Sequence, residues 1–173
     1  MMSLTAVFWL LVIIMGVVGG FRGWAKEILV VFSMIVGLAI NWAMLTYIGG
    51  AADALQSMNP TLRFGLRATM FLVLAYFGYR TPGLSAVASG KLAREKLQDW
   101  MLGLVLGLIN GYFLVGTLWY FLHEAGYPFP YVMPPTDPGV LRYLDYMPPN
   151  LLSGTPLIFI LIASFVFVIV VFI

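Results

Sequence analysis

Residues 16–40 read GVVGGFRGWAKEILVVFSMIVGLAI. A glycine-rich apolar stretch runs into Arg22, Gly23, Lys26 and Glu27, and a second apolar stretch follows at once. Neither this segment's upstream flank, LLVIIMGVV, nor the later run FVFVIVVFI alternates polar with apolar residues, as a barrel strand would. In lipid an unpaired backbone group costs several kcal/mol, so apolar chain of this kind crosses as helix. The segment therefore predicts a helical hairpin, with two spans joined by a short charged reversal. The glycines before the turn let the first helix approach a neighbour closely, and Gly23 permits the tight reversal.

The rest of the chain has the same character. Hydrophobic residues make up 62% and charged residues 9% of 173 positions. Soluble domains carry about 25% charged residues, so this composition belongs in a bilayer. A net charge of +2 gives no reason to expect nucleic acid as a partner. With no cysteine, disulfides and thiolate metal sites are excluded. A span needs about 20 mostly apolar residues. Candidates lie at 4–20, 28–48, 62–79, 100–122 and 157–173. No charge precedes the first one, unlike the basic start of a cleaved leader, so an uncleaved signal anchor is expected.

Lysine and arginine set the orientation. Arg22, Lys26, Arg80, Lys91, Arg94 and Lys96 fall on one side of this threading. Arg63, Arg67 and Arg142 fall on the other, with Asp53, Glu124, Asp137 and Asp145. The first side is the expected cytoplasm, so the N-terminus is outside. Tryptophans and tyrosines near the span ends suit an aromatic belt. Residues 81–99 have apolar positions at near-helical spacing among basic ones and predict an amphipathic helix on the cytoplasmic leaflet. Residues 127–150 are rich in proline and tyrosine and predict an ordered external cap, with a turn or two of helix at 139–146.

Several residues stand out. Gly103, Gly107 and Gly111 recur every four positions, a glycine zipper that flattens one helix face. Gly16, Gly19, Gly20 and Gly23 repeat the device in the first helix, predicting either close packing between these two helices or an interface with a partner or second copy. Arg22 and Lys26 share a face if the turn is helical. Glu27 then pairs with one of them, and the alternative role of the cluster is a contact to lipid phosphate or a cytoplasmic partner. Asn41 and Asn110 lie within spans and are expected to hydrogen-bond across helices, contributing about 0.6–2 kcal/mol each. Arg67 lies one turn inside its span, near enough to the end for its head group to extend to the interface, with Asp53 or Glu124 as possible partners. No acid is expected deep in a span, which weakens a proton-coupled transporter. The single histidine, His123, is a minor candidate for a cofactor ligand; a solvated role is expected instead. No catalytic constellation is evident, so the chain reads as a non-enzyme.

Two stretches together resemble the colicin V production protein family (CvpA). In residues 16–40 the matching pattern is a glycine-flanked Arg22–Gly23 followed by Glu27, which opens the second helix. In KLQDWMLGLVLGLINGYFLV it is Asp99 running into a helix with Gly103, Gly107 and Gly111. The family often has a basic residue just before the last of these glycines, where this chain has Asn110. The likeness covers about residues 5–122. It implies a four-span bacterial inner-membrane protein named for a role in exporting a peptide toxin. The fifth apolar segment departs from that plan and, lacking a basic anchor, suits docking on a partner. The expected organisation is an all-α polytopic bundle, with a family-type membrane domain at 1–122, an external loop at 123–156 and a terminal helix at 157–173. The expected function is support of export or envelope processes, with membrane lipids bound and no cofactor. The alternatives are an accessory subunit of a respiratory or photosynthetic complex and a small-solute channel.

Overall fold

The computed structural model describes residues 3–80 and 96–172. Among these residues the chain forms α1 (Leu4–Arg22), α2 (Trp24–Tyr47), α3 (Ala51–Ser57), α4 (Pro60–Tyr79), α5 (Lys96–Glu124), α6 (Pro138–Asp145), α7 (Pro148–Leu151) and α8 (Gly154–Phe172), with no strand. The expected amphipathic helix lies, up to residue 95, outside the described residues. Its last residues, 96–99, are the first turn of α5, which starts before the predicted position 100.

Local chemistry sets several boundaries. Ser3 Oγ accepts from the Ala6 amide at 3.1 Å and starts α1. Asn59 Oδ1 accepts from the Thr61 amide at 2.9 Å, with Pro60 in the first turn of α4. Asp137 does the same for α6, with Pro138 beside it. That helix falls where the cap sequence predicts one. Between α1 and α2 stands a single residue, Gly23, at φ 85 and ψ 154. This conformation is essentially closed to residues with a side chain. The predicted charged loop is therefore not a loop: Arg22 ends one helix, and Lys26 and Glu27 lie in the first turns of the next. Because Gly23 breaks the helix, Arg22 and Lys26 do not share a helical face.

α1, α2 and α5 are long and apolar enough to cross a membrane. The apolar run of α8, Gly154–Val170, is shorter, and the 20 residues of α4 include Arg63 and Arg67. α1 packs mainly on α5 rather than on α2, to which it is joined, while α2 packs on α4, α5 and α8. The α1–α5 pair is antiparallel, with Gly19 against Gly103 and Gly107, and Val12 against Gly111. A Cβ on Gly19 would lie 2.5 Å from the Gly103 carbonyl oxygen and 2.6 Å from Gly107 Cα. Only hydrogen fits there. One cluster, including Val30, Met34, Leu38, Phe71, Phe121 and Leu157, joins α2, α4, α5 and α8. A second joins the start of α1 to α5 and the cap through Phe8, Val12, Trp119, Tyr127, Leu144 and Met147.

Candidate functional site

At the end of the bundle where α1 turns into α2, four helices meet at one polar node. Arg22 Nη1 donates to Glu27 Oε1 at 2.5 Å across the Gly23 reversal. The Asn110 amide of α5 donates to Glu27 Oε2 at 2.7 Å and to the Glu27 backbone carbonyl at 3.0 Å. The Arg22 guanidinium lies 4.4 Å from the centre of the Tyr79 ring, at the end of α4. Asp99 Oδ1 accepts from the Trp24 backbone amide at 3.1 Å, occupying one of the free donors at the start of α2. A Cβ on Gly23 would stand 2.8 Å from Asp99 Oδ2. Glu27 is 1% exposed and Asn110 is fully buried. No acid is expected deep in a span, and Glu27, in the first turn of α2, is not deep in one; its burial within the bundle is what the sequence does not reveal. Hydropathy counts the acid as the mouth of a helix, while the reversal folds it under α5.

A second node sits at the opposite end of α4. Arg67 donates from Nε to Asn41 Oδ1 at 3.1 Å and from Nη1 to Glu124 Oε2. Its guanidinium lies 4.1 Å from the centre of the Phe121 ring. Arg63 donates to the Glu124 backbone carbonyl at 2.8 Å. Arg67 is 5% exposed, so its head group does not reach out to an interface. Asn41 and Glu124 converge on it within the bundle.

Both nodes are internally paired. Each holds one ion pair, Arg22–Glu27 or Arg67–Glu124, and their hydrogen bonds and ring contacts tie α1, α2, α4 and α5 together at two levels. Lys26 is exposed and takes no part in the first node. Gly16 faces Leu108, Gly20 faces Trp100, and Gly111 faces Met15 and Val12. The glycine faces are thus filled by the α1–α5 contact and are not an open interface. His123 is exposed, with its ring edge-on to Tyr127 at 5.7 Å. No group of three or more metal-ligating side chains occurs among the described residues. On the cap side, Trp119 Nε1 donates to the Tyr127 hydroxyl at 3.2 Å. Burial pushes the Tyr127 phenol above its ordinary value, and the Trp119 bond opposes that.

Sequence reasoning pairs Glu27 with Arg22 or Lys26, and the structure selects Arg22; it does not join Asn110 to them. It missed Tyr79 altogether. The available signal was one polar side chain, Asn110, among the glycines of α5, which demands a partner in lipid.

These features define a class: a multi-pass helical membrane protein fastened by glycine contacts and two buried ion-pair nodes. The family described as colicin V production protein matches residues 4–136, and the chain belongs to that family. No curated protein and no solved structure matches it.

Proposed function

We propose that this chain is a non-enzymatic component of the bacterial inner membrane that supports export or envelope processes. It is threaded five times, with its N-terminus outside. The observation that carries this reading is the buried Arg22–Glu27–Asn110 node, within residues matched by the family. A carboxylate paired with Arg22 and engaged at both oxygens suits a fixed scaffold better than a group that must exchange protons or substrate. Helix directions support five crossings, since α4 and α8 both run antiparallel to α2, through Gly37–Phe71 with Ser33–Gly78 and through Phe32–Phe165 with Leu29–Val168 respectively. Arg22, Arg80 and Lys96 close one end of this bundle, as a cytoplasmic face requires. Any protein partner would be a second copy or another membrane protein, read by native gels after gentle extraction. No feature of the bundle favours the accessory-subunit or channel alternative.

Two experiments test the proposal. The chain has no cysteine, so single cysteines report sidedness cleanly. Lys26→Cys and Arg80→Cys should label from the cytoplasm, and Gly49→Cys and Gly126→Cys from outside. Labelling of positions 26 and 80 from opposite sides would end the threading. In a strain lacking the protein, peptide-toxin export and envelope integrity should recover with the wild-type chain and fail with Arg22→Ala. Full recovery with that variant would remove the node from function.

A further inference from the structure

We propose that the groove between α4 and α5 is a specific site for one anionic phospholipid, with an acyl chain along α4 and the phosphate at Arg80. The groove has a volume of about 470 Å³ and is lined by Leu72, Val73, Tyr76 and Tyr79 of α4 and by Leu114 of α5, among others. Leu72, Val73 and Tyr76 are exposed on the outer surface of the bundle, where acyl chains lie. The lining begins at Thr69 and ends at Tyr79. Ten residues of helix cover about 15 Å, which is half of a hydrocarbon core about 30 Å thick. The groove therefore matches one leaflet.

Its polar end carries the charge that a phosphate needs. Arg80 is exposed, directly follows α4, and holds its guanidinium 5.8 Å from the centre of the Tyr76 ring. Arg22 lies over the neighbouring tyrosine of the same groove, Tyr79. Arg22 is already neutralised by Glu27, whereas Arg80 forms no ion pair among the described residues. A cation without an ion pair among the described residues thus stands at the headgroup end of a one-leaflet apolar slot. A net negative lipid satisfies it, while the ammonium group of a zwitterionic lipid opposes it. The site rests on α4 crossing the membrane, which the cysteine mapping above reads separately from lipid retention.

The test is native mass spectrometry of the full chain in detergent, titrated with phosphatidylglycerol or phosphatidylcholine of identical acyl chains. A basic residue near the headgroups is worth about a fivefold preference, so phosphatidylglycerol should be retained about fivefold better. Arg80→Gln should abolish that preference and Arg80→Lys should keep it. Val73→Trp, which fills the slot from its exposed side, should lower retention of both lipids. Equal retention by the wild type, or a preference that survives Arg80→Gln, overturns the phosphate contact. Undiminished retention by Val73→Trp overturns the groove.

Discussion

Arg22 and Glu27 are partners of unequal burial, and the inequality has a measurable sign. Arg22 retains 23% of its side-chain exposure, whereas Glu27 retains 1%. Deleting the arginine strands a buried carboxylate, while deleting the carboxylate frees a cation that can turn towards water. Removing one partner of a buried pair costs about 3–5 kcal/mol. Arg22→Ala is expected near that range, and Glu27→Ala clearly below it. The double variant should be milder than Arg22→Ala alone. Unfolding in mixed micelles titrated with denaturing detergent measures all three. At the other node Arg67 is the buried partner and Glu124 the half-exposed one. Glu124→Ala should therefore destabilise more than Arg67→Met, which lets the half-exposed Glu124 turn to water and leaves the buried Asn41 oxygen without its donor, at about 1–3 kcal/mol.

Helices in this bundle are held by what their surfaces lack. Gly19 and Gly65 are both helical, yet a Cβ at Gly19 meets backbone at 2.5 Å and one at Gly65 meets nothing within 4 Å. Gly19→Ala should cost about 1–3 kcal/mol by overpacking, and Gly65→Ala should be harmless or mildly stabilising; the same micelle titration separates them. The cap obeys a different rule. It is stitched to α5 by the Trp119–Tyr127 bond, by Tyr112 donating to the Tyr146 carbonyl, and by Met147 and Pro148 closing on Gly116. Because burial raises the Tyr127 phenol in the folded state, its contribution is intact below the ordinary tyrosine value of about 10 and is lost as pH rises through the higher folded value. Tryptophan fluorescence should report the cap loosening in strong alkali, and Tyr127→Phe should reduce that loosening.

Over the whole molecule, hydropathy locates the helices well, because apolar runs in lipid have few alternatives to helix. It locates their ends poorly. α1 continues through Arg22, since a charged residue at a helix end is no obstacle to backbone hydrogen bonding, and the break comes only at Gly23. Glycine spacing identifies the faces of α1 and α5, because close approach leaves a periodic mark in composition. The node itself was half legible. Arg22 and Glu27 stand five positions apart, but Asn110 lies 83 positions from Glu27 and Asp99 lies 75 from Trp24. Pairings at such distances follow from how α5 slots beside both α1 and α2, which no local pattern encodes. The same holds for Arg67, whose position one turn inside α4 is as compatible with reaching the headgroups as with meeting Glu124.

The one-residue joint at Gly23 also bears on biosynthesis. α1 finds its main support on α5 rather than on its covalent neighbour, and α5 begins at Lys96, 73 positions after the joint at Gly23. A nascent chain leaving the ribosome therefore delivers the first two helices to the membrane while the surface that completes them is still untranslated. During that interval the flattened flank of α1 faces lipid, and Glu27 and Arg22 have only each other. The late arrival of α5 is the step at which assembly of this protein is most open to rescue or capture by an insertion chaperone.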